Sequence, residues 1–234
     1  AVELLQRETA GYDCDLVLFP EMALDHPPQC TCQGELSFEN VALNMLSRFA
    51  RQHNLYLVLG SVEERTGGAK VHDTCVVLGR QGEMLLLYRK QSVSSPNKAR
   101  GTEPGVFETE FGPVGILLGA EVDEEERWAP LLARRPCLVL NPARAPMQMD
   151  PTLARAHPEL QVASWHAGFR RLERTADVRL RSYSCPLARA DAPLQEGGAG
   201  ISVLVEQHRS VLAPCWGPAF FVVETTPPAE LVGR

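Results

Sequence analysis

Three stretches of the chain put chemically capable groups at the ends of apolar runs, where a folded protein exposes them. Asp15-Leu-Val-Leu-Phe-Pro-Glu21 is a buried-strand pattern that stops at a proline and then presents a carboxylate. A carboxylate just past a buried strand is partly desolvated, which suits it to general-base work. Leu86-Leu87-Tyr88-Arg89-Lys90 delivers a basic pair at the end of another apolar run. A lysine there can steady a developing oxyanion, or simply protect a sheet edge. Gly112-Pro-Val-Gly-Ile-Leu-Leu-Gly119-Ala-Glu-Val-Asp123 runs from a strand pattern into a glycine and then a helix start. That is the layout of a nucleophile elbow, whose free backbone N–H groups can hold an oxyanion.

Other spellings carry less. Ser95-Pro-Asn-Lys98 has the S-x-x-K spacing of serine acyltransferases, but Pro96 places it in a loop. His157-Pro-Glu159 has the H-x-E of zinc deaminases without the P-C-x-x-C that must follow. His26, His53, His72, His157, His166 and His208 form no metal-spaced set, and Cys30-Thr-Cys32 has no second pair. No metal and no cofactor is therefore expected. The acidic run Glu121, Asp123, Glu124, Glu125 and Glu126 reads first as acids complementing a helix dipole, and otherwise as a charged surface for a basic partner. Arg170, Arg171, Arg174, Arg179 and Arg181, flanked by Arg155 and Arg189, read as a solvated helix face. Trp128, Trp165 and Trp216 read as packing residues.

The elements that must position these groups alternate in type. Phe38 to Ala50 repeats apolar residues at three- and four-residue steps, a helix capped by Ser37 and preceded by a shorter one over 1–9. Asp15–Phe19 and Leu55–Val62 read as buried strands, and Cys75–Leu78 with Met84–Tyr88 as a hairpin. Val106–Glu110 and Val114–Leu118 make a second hairpin about Gly112-Pro113, followed by a helix over 124–134 and a strand over 137–140. A helix over about 159–176, a strand over 178–184, a hairpin of Ile201–Val205 with Val211–Ala213 and a last strand over 220–223 complete the pattern. Strands alternating with helices and hairpins argue for helices outside mixed sheets, in one domain over 1–234.

Composition sets the frame. The chain has 234 residues, 44% hydrophobic and 22% charged, which excludes a disordered or collagen-like polymer. A net charge of −6 gives no global pull towards nucleic acid. No apolar run reaches the roughly 18 residues of a membrane span. Seven scattered cysteines, some inside apolar runs, suggest reduced thiols and a cytoplasmic, intracellular setting. No signal-peptide pattern opens the chain, and with no initiator methionine the expectation is a true N-terminus upstream.

Taken together and in order, DLVLFPE, YRK, FGPVGILLGAEVD and LVLNPA resemble the nitrilase (carbon–nitrogen hydrolase) superfamily. The resemblance extends to GISVLVEQHRSVLA and so covers nearly the whole chain; the family's first strand has no counterpart. It implies an α/β fold, an α-β-β-α sandwich that becomes four-layered on dimerising through a helical face. It also implies cleavage of amides or nitriles by a Glu-Lys-Cys triad, with Glu21 as the base and Lys90 as the lysine. At the place of the nucleophile this chain has Gly119, with Ala120 and Glu121 after it. The family's second glutamate has no clear match either, since Glu103 sits too near the next strand. The expectation is a pseudoenzyme with Glu21 and Lys90 as vestigial members, binding a protein partner or a small carbonyl or carboxylate ligand. The alternatives are an active amidase or nitrilase using another nucleophile, and an inactive subunit of a homo- or hetero-oligomer supporting an active relative. Neither nucleic acid nor membrane is an expected partner.

Overall fold

The computed structural model describes residues 14–23, 41–66, 69–93, 95–144, 158–180, 185–191, 202–205 and 210–212. In chain order these form β1 (Leu16–Leu18), α1 (Val41–His53), β2 (Tyr56–Arg65), β3 (Val71–Leu78) and β4 (Met84–Arg89). β5 (Gly105–Thr109) and β6 (Gly112–Ile116) follow, then a short 3-10 helix (Gly119–Asp123) and α2 (Glu125–Leu132). The remainder is β7 (Leu138–Ala143), α3 (Pro158–Leu180), β8 (Leu187–Asp191), β9 (Val203–Val205) and β10 (Ser210–Leu212).

Two mixed sheets result. One has four strands in the order β1-β2-β3-β4, the other six in the order β10-β9-β8-β7-β6-β5. β1 runs parallel to β2, and β6, β7 and β8 are mutually parallel; the remaining neighbours pair antiparallel. The strands read as two-sided apolar runs because both faces are covered. Leu43, Leu46, Phe49 and Ala50 of α1 pack on Leu57, Leu59, Val76 and Leu78 of the first sheet. Trp128 and Leu131 of α2 and Leu172, Ala176 and Leu180 of α3 pack on Val139, Leu187 and Val203 of the second. Between the sheets lie Val58, Cys75, Val77, Tyr88, Phe107, Ile116, Leu118 and Leu140. The layers are helix, sheet, sheet, helix, as the sequence implied. At roughly 1.5–3 kcal/mol for each fully buried aliphatic or aromatic side chain, these faces dominate the favourable side of folding.

Several boundaries differ from the sequence reading. Residues 178–180 are not a strand but the last turn of α3. Leu172, Ala176 and Leu180 continue one buried helical stripe, and that packing outweighs the local alternation of Val178 and Leu180. The β5–β6 turn falls at Glu110-Phe111, and Gly112-Pro113 lies within β6, Pro113 facing Glu108. β7 runs on through Asn141-Pro142 to Ala143. The helix over 1–9, the Ser37 cap, the last strand over 220–223, Trp216 and the side chain of Trp165 lie outside what is described.

Candidate functional site

β1 ends below a tight crossing. A side chain on Gly60 would overlap the Pro20 carbonyl oxygen, so glycine there lets the Pro20-Glu21 backbone lie across β2. Glu21 then bridges to Ser61, where the β2–β3 register shifts between Leu59 and Val62. Its N–H donates to Ala143 O of β7 at 3.3 Å, so Glu21 stands where the two sheets meet. Lys90 leaves β4 anchored through its own backbone, its N–H donating to Asp73 O and its carbonyl accepting from Gly101 N. Lys90 Nζ meets Glu21 Oε1 at 2.6 Å, while Glu21 Oε2 accepts from Arg144 N at 3.1 Å. Both side chains are largely buried, 9% exposed for the glutamate and 16% for the lysine.

Gly119 completes the constellation. It sits just past β6 with φ +53°, in the left-handed region that glycine adopts without strain. A Cβ built there would lie 2.5 Å from Glu21 Oε2 and 2.9 Å from Lys90 Nζ. The structure therefore brings Glu21, Lys90 and Gly119 around one point, with the acid and the ammonium occupying the space of the absent side chain. The elbow is held from below. Asn141 Nδ2 donates to Leu117 O at 2.6 Å and to Gly119 O at 3.1 Å. Arg189 in turn donates to Asn141 Oδ1 and to Asp191 Oδ2, each at 2.9 Å.

Two groups differ from their sequence reading. Glu121 is no solvated helix-dipole acid: it is fully buried and collects four donors. Its Oε2 accepts from Leu118 N and Tyr88 Oη, both at 2.8 Å, and its Oε1 from Gln91 N at 2.7 Å and Ser92 N at 3.1 Å. This is the carboxylate half of a capping box, and it also ties the loop after Lys90 to the elbow. Burial raises its pKa against the opposing pull of these hydrogen bonds. Arg189 is not on the basic helix face but buried in β8, opposite Asn141 in register. The rest of the acidic run is answered within the chain, Asp123 by Arg171, Glu124 by Arg127 and Glu125 by Arg179, each at 3.1 Å. Glu121 was legible only as a residue three positions past the end of an apolar run. The Asn141–Arg189 pairing had no sequence signal, because it depends on strand register.

None of the buried cysteines Cys75, Cys137 and Cys185 is a ready thiolate. Cys75 lies close enough to feel the charges of Glu21 and Glu121, but it is fully buried and burial pushes its thiol pKa far up. Burial likewise pushes Cys137 up to about 11 and Cys185 up to about 12, so these thiols stay protonated. Lys98 of the S-x-x-K spelling is held by Glu63 at 2.5 Å and Asp73 at 2.6 Å, away from Ser95. Glu103 meets the site loop through its backbone carbonyl, which accepts from Gln91 Nε2. Among the described residues no cluster of three or more His, Cys, Asp or Glu side chains could hold a metal ion.

Comparisons with known proteins fit this geometry. The chain is 30% identical over 173 residues to omega-amidase NIT2 of Danio rerio, a match covering 68% of this chain and 60% of that protein. Among solved structures it is similar to a carbon–nitrogen hydrolase from Helicobacter pylori G27 (TM-score 0.68, 15% identity, covering 92% of this chain and 79% of that one). It is also similar to an amidase variant from Nesterenkonia sp. AN1 that carries the acetamide moiety of fluoroacetamide covalently added at its active-site cysteine. There the TM-score is 0.65 and the identity 20%, covering 92% of this chain and 80% of that one. The family model for carbon-nitrogen hydrolases matches residues 1–215. With two mixed sheets inside two helical layers and a glutamate, a lysine and an elbow at one point, the chain belongs to the carbon–nitrogen hydrolase family.

Proposed function

We propose that this chain is a carbon–nitrogen hydrolase relative that has given up covalent catalysis and works by binding. The observation that carries this reading is Gly119. Attack on an amide carbon by a side chain at the elbow needs an atom that can form and break a bond to the acyl group, and glycine offers none. The family's scheme assigns Glu21 to take a proton and Lys90 to steady an oxyanion, but at position 119 beside them there is no side chain to be deprotonated. Loss of a nucleophile from such a site costs on the order of a millionfold in turnover, leaving only what binding and oxyanion donors supply.

Its role is then to engage a protein, as a scaffold or as an inactive subunit beside an active relative, or to hold a small carbonyl or carboxylate ligand. The matching relatives are omega-amidases by name, and amide hydrolysis is the rival reading. The retained glutamate–lysine pair favours that rival, and the protonated, buried thiols weigh against it. No helix of the described residues is long and apolar enough to cross a membrane.

Turnover decides between them. Purified protein incubated with short aliphatic amides, including omega-amides of dicarboxylic acids, is expected to release no ammonia above the uncatalysed rate. Release that disappears in Glu21→Gln would establish the amidase instead. Recovery of an active relative in a pull-down would select the inactive-subunit role over an independent scaffold.

A further inference from the structure

The geometry points to a second use of the Glu21–Lys90 pair: it is a clasp that ties the two edges of the first sheet together at the site end and so steadies Glu21, whose own bonds reach the second sheet. This goes beyond the binding role proposed above and is read in stability, not turnover, so either can fail while the other stands.

Glu21 spans the interface by itself. Its backbone is bridged to Ser61 of the first sheet, and its N–H and Oε2 are bonded to Ala143 and Arg144 at the end of β7 in the second. Lys90 brings in β4, on the opposite edge of the first sheet from β1. The ion pair therefore joins the ends of β1 and β4, and Glu21's hydrogen bonds carry that junction to the end of β7. Both partners are satisfied within the fold. The carboxylate has the ammonium on one oxygen and a backbone N–H on the other, and Lys90 is fixed by main-chain bonds on both sides. The volume a nucleophile would occupy is filled by their own tips, 2.5 and 2.9 Å from where its Cβ would stand. A carbonyl ligand at this point would first have to part a 2.6 Å ion pair. Groups held ready for chemistry commonly cost stability, and replacing them often raises it. A closed pair predicts the reverse.

The test is a urea-denaturation cycle on the full chain with Glu21→Leu, Lys90→Met and the double variant, joined to amide hydrogen exchange. Each single change strands a largely buried charge and should lower the folding constant by about a hundredfold or more. The double variant strands none and should recover at least about tenfold over the sum of the singles. If a single variant does not fold, Glu21→Gln, which keeps an acceptor for Arg144 N–H, is measured by exchange. The clasp predicts that Lys90→Met or Glu21→Gln speeds exchange at the Arg144 amide at least tenfold, although Lys90 stands at the end of β4 in the other sheet. Unchanged or increased stability in the single variants, additive effects in the cycle, or unaltered Arg144 exchange would each overturn the assignment.

Discussion

The two ends of the sandwich are built to the same plan and finished differently. At one end Asp15 stands before β1, Arg80 before β4 and Glu110 before β6; at the other Glu21 follows β1, Lys90 follows β4 and Gly119 follows β6. Each end thus draws a carboxylate and a cation from the first sheet towards a residue of the second. At the far end that third residue is Glu110, which meets Arg80 at 2.6 Å, while Asp15 meets it at 2.5 Å. Arg80 also donates to Asn54 O and lies over the rings of Tyr56 and Phe111, and Tyr56 donates to Glu110. Its carboxylates are open to solvent, with Asp15 62% exposed, so screening leaves the cluster worth little. At the site end the same layout is buried, the cation is a lysine, and the third place is vacant of side chain. A surface cluster of this kind fastens a fold without constraint on chemistry. The buried one sets a carboxylate and an ammonium against a glycine at the elbow, and on the reading proposed above that glycine is what removes covalent catalysis.

Substitutions can break this contrast, beginning with the largest expected effect. Glu121→Ala would leave Leu118 N–H, Gln91 N–H, Ser92 N–H and Tyr88 O–H without their acceptor, and should cost more than about 3 kcal/mol in chemical denaturation. Next, Gly119→Ala puts a Cβ into the left-handed region and against two charged tips, for a loss of about 1–2 kcal/mol. Both tips end flexible side chains and can yield, so the protein should still fold. Arg80→Met at the far end should cost no more than about 1 kcal/mol, and less in high salt. A larger loss for Arg80→Met than for Glu121→Ala would invert the comparison.

A subtler difference lies in how buried carboxylates titrate. Burial pushes Glu64 up, but the Arg89 and Thr74 hydrogen bonds outweigh it and its pKa ends below the ordinary value. Its folded pKa is thus depressed: its contribution is present above the unfolded value near 4.5 and is lost as pH falls through the folded one. Glu121 has the opposite sign. Its folded pKa is raised, so the cost of its buried charge is present above that folded value and is relieved as pH falls from there towards 4.5. Relative to Glu64→Gln, the native protein should lose stability on acidification; relative to Glu121→Gln, it should gain. Parallel curves for the two variants would contradict the assigned environments.

How far the sequence carried the structure can be seen at particular residues. Glu21, Lys90 and Gly119 were legible because each ends an apolar run, and the order of those runs belongs to one family. The interleaved helices and hairpins were legible because buried strands and amphipathic helices differ in period. What was not legible depends on pairing across the fold. Glu121 looked like one acid among five, and only the approach of Tyr88 and the loop after Lys90 makes it a buried hub. Arg189 looked like one arginine among seven until the β7–β8 register set it against Asn141. The end of α3 was misjudged because a strand-like alternation of a few residues was overruled by a helical face buried on the second sheet.

The central claim is that the elbow is intact and its nucleophile is missing. Fluoroacetamide tests it directly, with intact-mass and peptide mapping of the native chain and of Gly119→Cys. The account predicts no adduct on the native chain and an adduct on residue 119 of the variant, lost when Glu21→Gln is added. A Glu21-dependent adduct anywhere on the native chain would contradict it.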